Sequence, residues 1–129
     1  MKKIFLDTNI ALEILLERKN KPVCIEYLQN IDGIFCLSSL SVHIIYYVSF
    51  KHLSKKSQIF EYLDQFKILD LSSADYEVAK KIIKDSDFED VLQIACALRH
   101  GCQNFITLDQ KLKKTYSSLL DIDLIGMQS

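Results

Sequence analysis

Chain-breaking residues are scarce in this sequence, whose 129 residues include only three glycines and one proline. An all-β sandwich or barrel needs a turn about every 8–12 residues, so this scarcity argues against such folds and favours long helices with short connections. Neither sign of charge is in excess, because the formal net charge is −1. This balance excludes a strongly basic protein that coats DNA and an acidic solvating tail.

Paired cysteine motifs are also missing. None of the four cysteines forms a C-x-x-C pair with another, which excludes a zinc ribbon and a thioredoxin motif. Cys24, Cys36 and Cys96 lie in apolar segments, where a free thiol behaves as a small hydrophobic group. We therefore expect these three thiols to be buried and reduced, as is usual in a cytoplasmic protein.

Targeting and membrane signals are lacking as well. Asp7 interrupts the apolar start of the chain too early for a signal peptide. The longest segment without a charged residue spans 34–50, but four serines and a histidine interrupt it. A membrane-spanning helix needs about 20 predominantly apolar residues, so this segment predicts a strand followed by a buried helix. We expect a cytoplasmic protein without membrane contact.

The sequence does contain a regular alternation of two hydrophobic patterns. Its composition, with 49% hydrophobic and 26% charged residues, is typical of a globular protein, and its length predicts one domain over residues 1–129. Short apolar runs at 4–6, 34–37, 68–71, 104–106 and 122–125 predict strands, and helical spacing between them predicts helices. The expected fold is α/β, a three-layer α/β/α sandwich with a mainly parallel sheet of four to five strands.

Polar side chains follow several of these predicted strands, where sites of open α/β sheets lie. They are Asp7, Thr8 and Asn9 after the first strand, Ser38 after the second, and Thr107 and Asp109 after the fourth. Asp90 begins the helix before the fourth strand, so Asp7, Asp90 and Asp109 converge if the first and fourth strands are neighbours. Clustered carboxylates repel one another unless a cation bridges them, and oxygen ligands favour Mg²⁺ or Mn²⁺. Taken singly, each acid is also typical of a helix start or a turn.

Four segments resemble the motifs of the PIN domain in order and spacing. They are FLDTN at 5–9, SSLS at 38–41, DFEDVLQ at 87–93 and ITLD at 106–109, so the resemblance covers essentially the whole chain. SSLS followed by Tyr46 and Tyr47 resembles a bacterial branch of that family. PIN domains are metal-dependent nucleases, and many are toxins of toxin–antitoxin pairs that cleave RNA. The resemblance thus implies an RNA substrate and an antitoxin partner, and it leaves a homodimer open.

The resemblance also assigns roles to individual residues. Asp7, Asp90 and Asp109 match the catalytic acids that hold Mg²⁺ or Mn²⁺ in the family. The residues that would support them through hydrogen bonds are Thr8, Asn9, Ser38 and Thr107. Glu13 resembles an acidic position common in this branch, and it either faces the same cleft or is a surface carboxylate of the first helix.

One position departs from the family pattern. PIN nucleases usually carry a fourth acid early in the helix after the second strand, and the aligned residue here is Ile44, which cannot bind a metal. His43 stands beside it, although adjacent helix positions point in different directions. This departure motivates a second hypothesis, a PIN-fold RNA-binding or protein-interaction module with weakened catalysis.

Because the net charge is −1, the positive charge that binds a nucleic-acid substrate would have to be concentrated in local patches. Arg18, Lys51 and Lys111 each belong to a short basic run and are the candidates, although such runs are often simply solvated. A third hypothesis is a receiver or phosphatase that transfers phosphoryl groups. The sequence argues against it, because no aspartate follows two residues after Asp7 and no glycine-rich phosphate loop is present.

Overall fold

The computed structural model describes residues 1–124, which form five strands and seven helices. The strands are β1 (Lys3–Leu6), β2 (Ile34–Ser38), β3 (Lys67–Leu69), β4 (Asn104–Thr107) and β5 (Asp121–Leu124). The helices are α1 (Thr8–Leu15), α2 (Lys21–Gln29), α3 (Ser39–Leu53), α4 (Lys56–Leu63), α5 (Ser73–Ile82), α6 (Phe88–Arg99) and α7 (Gln110–Tyr116). The predicted third strand extended to Leu71, which lies beyond β3, and Ile125 of the predicted fifth strand lies outside the described residues.

The strands form one sheet in the order β3-β2-β1-β4-β5, and all four pairings are parallel. The register aligns Phe5 of β1 with Cys36 of β2 on one side and with Phe105 of β4 on the other. The strand β1 is thus the central strand, and the first and fourth strands are neighbours. The predicted parallel α/β fold is confirmed.

Helices cover both faces of this sheet because successive strand residues point to opposite sides. Ile4 and Leu6 of β1 pack in a hydrophobic cluster with residues of α1 to α4. Phe5 lies in a second cluster with residues of α5 to α7, where its ring stacks on Phe105 at 5.2 Å between centroids. The two clusters are the two interfaces of a three-layer sandwich.

Two glycines stand where a side chain would not be tolerated easily. Gly101, just after α6, has a φ of 70°, the left-handed conformation that commonly ends a helix. A Cβ on Gly33 would lie 2.5 Å from Ile4 Cδ1 and 2.7 Å from the carbonyl oxygen of Lys2, so β2 begins in close contact with β1. The second glycine therefore permits the approach that pairs these two strands.

All four cysteines are buried, and each has a free thiol. This confirms the expected burial of Cys24, Cys36 and Cys96. Within residues 1–124 no helix is both long enough and apolar enough to cross a membrane.

Candidate functional site

Three strand ends and three helix starts meet at one edge of the sheet. Asp7 follows β1 at the N-cap position of α1, Ser38 ends β2 and caps α3, and Asp109 follows β4 and caps α7. Because β1 pairs with both β2 and β4, these caps lie side by side at the C-terminal edge. Helix N-termini carry partial positive charge, which favours acidic side chains at this position.

Asp7 lies at the centre of this edge and is almost completely buried, with 4% of its surface exposed. Burial raises the pKa of its carboxyl group to about 6. Hydrogen bonds from the Thr107 hydroxyl and the Thr8 backbone oppose that rise in the pKa, and the charge of Asp109 adds to it. The Thr107 Oγ1 donates to Asp7 Oδ2 at 2.8 Å.

Thr107 connects two of the predicted acids. Its hydroxyl donates to Asp7 and, at 3.0 Å, accepts a hydrogen bond from the backbone N–H of Asp109. The carboxylate of Asp109 in turn accepts from the N–H of Leu112 at 3.1 Å, which caps α7. Asp7 and Asp109 are therefore fixed relative to one another through one fully buried hydroxyl group.

Asp90 and Glu89 approach from the first turn of α6, which Asp87 caps by accepting from the Glu89 N–H at 2.9 Å. Burial is the largest of the effects that together raise the pKa of Asp90 to about 7, and the others are the negative charges of Asp7, Glu89, Asp87 and Asp109. Burial and the charge of Asp7 also raise the pKa of Glu89, against a hydrogen bond from Gln93. The predicted acids Asp7, Asp90 and Asp109 thus lie within electrostatic reach of one another.

A buried polar network supports these acids from below. The Ser38 hydroxyl donates to Gln93 Oε1 at 2.6 Å and accepts from the Ser41 N–H at 3.0 Å. The hydroxyl groups of Thr8 and Ser41 lie 2.9 Å apart, and Gln93 Nε2 donates to Thr8 Oγ1 at 3.5 Å. Through Gln93 the network joins α1, α3 and α6, and it extends to the carboxylate of Glu89.

Sequence reasoning missed Gln93, Ser41 and Glu89. Gln93 had a detectable signal, since it is a polar residue on the otherwise apolar inner face of its helix. Ser41 stands three residues after Ser38, the spacing of an N-cap and the amide that it binds. Glu89 has the sequence pattern of an acid at a helix start, whereas its Oε2 atom is buried and accepts no hydrogen bond.

The other predicted residues lie in different environments. Glu13 is buried in α1, where its carboxylate accepts from the Asn20 N–H at 3.1 Å and lies 3.9 Å from Arg18 Nη1. These contacts hold the connection between α1 and α2. Asn9 is exposed at the start of α1, and Lys111 Nζ lies 3.7 Å from Asp85.

The helix α3 contains Ile44, which stands where the family usually has a fourth acid, and the residues next to it. Ile44 is half-buried, and the exposed His43 stacks on Tyr47 with 6.4 Å between ring centroids. Lys51 Nζ lies 4.2 Å from the centroid of the Tyr47 ring. No carboxylate of α3 approaches the acid cluster, because α3 contains none.

The carboxylates of the acid cluster are chemically suited to a hard divalent cation, although they do not form a complete set of metal ligands. Within residues 1–124, no three Asp, Glu, His or Cys side chains form a ready group around a metal position. Carboxylate oxygens are the ligands that Mg²⁺ and Mn²⁺ prefer. A cation among these acids would offset the negative charges that, together with burial, raise the pKa of Asp90.

The fold and the site together define an α/β protein with an acidic cluster at the C-terminal edge of a parallel sheet. Residues 4–117 match the model of one family, the PIN domain. The chain therefore belongs to the PIN domain family. A search among curated protein sequences gives no match.

Solved structures show the same fold in proteins of low sequence identity. A toxin–antitoxin complex from Klebsiella pneumoniae superposes with a TM-score of 0.75 at 17% identity, covering 93% of this chain and 95% of that one. The Mycobacterium tuberculosis toxin VapC20, described as cleaving the sarcin–ricin loop, gives 0.71 at 11%, covering 86% and 93%. VapBC2 from Rickettsia felis, solved with a promoter DNA fragment, gives 0.72 at 17%, covering 96% and 99%.

Proposed function

We propose that this chain is a metal-dependent ribonuclease that hydrolyses RNA phosphodiester bonds, and that it acts as the cytoplasmic toxin of a toxin–antitoxin pair. The observation that carries the proposal is the convergence of Asp7, Asp90 and Asp109 at one sheet edge, where burial and the charges of neighbouring acids raise the pKa of Asp7 and of Asp90. Family membership supports it, as does the fold shared with VapC20, a toxin described as cleaving RNA of the sarcin–ricin loop.

The chain's own residues would prepare the site for Mg²⁺ or Mn²⁺. Thr107 orients the Asp7 carboxylate and fixes the backbone of Asp109, so both acids are held before any ion arrives. Gln93 anchors Glu89 beside Asp90. When bound, a divalent cation supplies a water of lowered pKa and neutralises charge at the phosphate that is cleaved.

Glu89 would replace the acid that is missing at Ile44. It approaches from α6 instead of α3, its Oε2 is buried without a hydrogen-bond partner, and burial together with the charge of Asp7 raises its pKa. A buried carboxylate oxygen without a partner is costly unless it meets a proton or a cation. We infer that Glu89 completes the acidic site.

The test compares RNA cleavage by the wild type and by Asp7→Asn in Mn²⁺ and in EDTA. We expect Mn²⁺-dependent cleavage by the wild type and its loss in Asp7→Asn. Asp32→Asn is the control, because Asp32 is an exposed carboxylate just before β2, at the opposite edge of the sheet. Equal activity of the two variants, or activity that persists in EDTA, contradicts the proposal.

The second candidate is a PIN-fold module that binds RNA or protein without cleaving, which the isoleucine at position 44 favours. It predicts RNA binding that needs no metal and no cleavage under any ionic condition. The two candidates also differ in thermal scans, since only the first predicts that millimolar Mn²⁺ raises the Tm of the wild type above that of an Asp7→Asn/Asp109→Asn variant.

The proposal that the chain is a toxin predicts an effect on bacterial growth and an antitoxin partner. Expression of the wild type should arrest bacterial growth, whereas Asp7→Asn should not. A small upstream gene that encodes a DNA-binding fold would be the antitoxin, and its co-expression should restore growth. Light scattering of the purified chain tests the homodimer.

A further inference from the structure

The helices α3 and α4 carry aromatic side chains in two stacked groups, which together we call the aromatic strip. Its members are His43, Tyr46, Tyr47 and Phe50 of α3 and Phe60 of α4. The Tyr46 ring stacks on Phe50 at 5.7 Å and on Phe60 at 5.4 Å between centroids, and His43 stacks on Tyr47. Tyr47, Phe50 and Phe60 remain 57%, 40% and 49% exposed. A substantial part of each of these three rings is therefore open to the surroundings, beside the stacking contacts within the strip.

The segment that builds this strip contains no carboxylate. No Asp or Glu occurs between Asp32 and Glu61, and the charged residues in that interval are Lys51, Lys55 and Lys56. All three lysines are exposed, and Lys51 lies directly over the Tyr47 ring. In a chain of net charge −1, this surface is a local concentration of positive charge next to aromatic rings. A ligand that complements this surface is an anion that also has flat apolar faces.

The strip begins beside the acid cluster. The first residue of α3 follows Ser38, whose hydroxyl is bonded to Gln93 beneath the acids. At about 1.5 Å per residue, His43 lies about 6 Å and Tyr47 about 12 Å along the helix axis from that start. The other two predicted cations, Arg18 and Lys111, face carboxylates of Glu13 and Asp85. Lys51 is thus the one of the three predicted cations that stands against an aromatic ring.

We propose that the aromatic strip binds unpaired bases of a single-stranded RNA segment next to the bond that is cleaved. Exposed bases stack on aromatic side chains in a sequence-tolerant way, and lysines compensate the phosphates between them. Paired bases in a duplex hide their faces, so the strip would select single-stranded substrates. The proposal rests on the proposed function for its substrate class, because it names the part of the RNA that the same site engages.

The experiment measures binding of a fluorescent single-stranded RNA oligonucleotide in EDTA by anisotropy. Tyr47→Ala should weaken binding about tenfold, within the range of base–aromatic stacking. Tyr47→Phe should retain wild-type affinity because it keeps the ring, whereas Tyr47→Leu should lose it although it stays apolar. A double-stranded oligonucleotide should bind more weakly and respond little to these changes.

Tyr76→Ala is the matched control. Tyr76 is 47% exposed and carries Lys80 over its ring at 4.6 Å, the same four-residue spacing as Tyr47 and Lys51, but it lies in the opposite helical layer. Its loss should leave RNA binding unchanged. The Tm of each variant should stay near that of the wild type, since both tyrosines are largely exposed.

Several results would overturn the proposal. These are wild-type protein that fails to bind single-stranded RNA, equal losses in Tyr47→Ala and Tyr76→Ala, and full affinity of Tyr47→Leu. If Tyr47→Ala leaves RNA binding intact but converts a dimer to a monomer, the strip is a contact between two copies of the chain. Because binding is measured without metal, Tyr47-dependent binding in EDTA together with no cleavage of the same RNA in Mn²⁺ would overturn the hydrolytic function and leave the strip standing.

Discussion

Thr107 and Asp7 lie 100 positions apart in the sequence and are joined by a hydrogen bond of 2.8 Å. The bond exists because β1 and β4 are parallel neighbours, which brings the residues after Leu6 and Ile106 together. Since the same hydroxyl accepts from the Asp109 backbone, its removal takes one hydrogen bond from the Asp7 carboxylate and the acceptor from the part-buried Asp109 N–H.

Thr107→Val should therefore lower the free energy of unfolding by about 1–3 kcal/mol at pH 7.5, because it keeps the shape of the side chain and removes the hydroxyl. Urea denaturation measures the loss. Thr107→Ser keeps the hydroxyl and should lose less. Equal stability of the valine and serine variants would contradict the role of the hydrogen bonds.

Stability without metal should fall as the pH rises. The pKa of Asp7 is raised to about 6 and that of Asp90 to about 7, above their ordinary value of 3.8, so the folded state binds protons more tightly than the unfolded state. Their stabilising contribution is complete below about pH 4 and is lost as the pH passes through 6 to 7.

Thermal scans in EDTA between pH 5 and pH 8 test this relation. The Tm of the wild type should decline across this window, and Asp90→Asn should show a shallower decline because it removes one of the repelling charges. Asp32→Asn, which alters an exposed carboxylate outside the site, should keep the wild-type slope. A wild-type Tm that rises with pH would contradict the cause assigned to these pKa values.

Glu89→Gln should weaken Mn²⁺ binding by about tenfold or more, the loss usual when a group that supports a metal site is removed. Calorimetric titration measures the affinity directly, independently of cleavage. Glu77→Gln, at an exposed position of α5, is the control and should bind as the wild type does. Unchanged affinity in Glu89→Gln would show that this acid serves only the start of α6.

Ile44→Glu should add a carboxylate at the place where the family usually has one. Without metal the change should cost about 1–3 kcal/mol of stability, because it puts a polar group at a half-buried position. Mn²⁺ should recover part of that loss and bind more tightly than in the wild type. Ile44→Gln has a similar size without the charge, so equal metal affinity of the two variants would mean that position 44 does not face the site.

The strands and the positions of most acids could be predicted from the sequence, because both follow from local patterns. A buried parallel strand appears as a short apolar run, and Asp7 and Asp109 directly follow such runs. The adjacency of β1 and β4 could only be assumed, since no local feature determines which strands pair across a helical crossover. That adjacency decides whether the acids meet at all.

The contacts between side chains also could not be predicted, because a linear sequence pattern does not contain them. Glu13 could be assigned to the cleft or to the surface, and its contacts with Arg18 and Asn20 arise from how the chain turns after α1. Glu89 and Asp90 are consecutive acids with the same propensity for a helix start. Only the folded environment, with its burial, the hydrogen bond from Gln93 and the nearby charge of Asp7, distinguishes Glu89 from an ordinary capping acid.

The central position of β1 also governs when the acidic cluster comes into existence during synthesis. Asp7 emerges early, whereas its partner Thr107 follows 100 residues later, a delay of about 5–20 s at common translation rates. In the sheet, β1 has β2 and β4 as its neighbours, and β4 is the later of the two in the sequence. Because Thr107 ends β4 and Asp109 follows it, a chain that has not yet been synthesised through β4 has neither the hydrogen bond to Asp7 nor the third acid of the cluster.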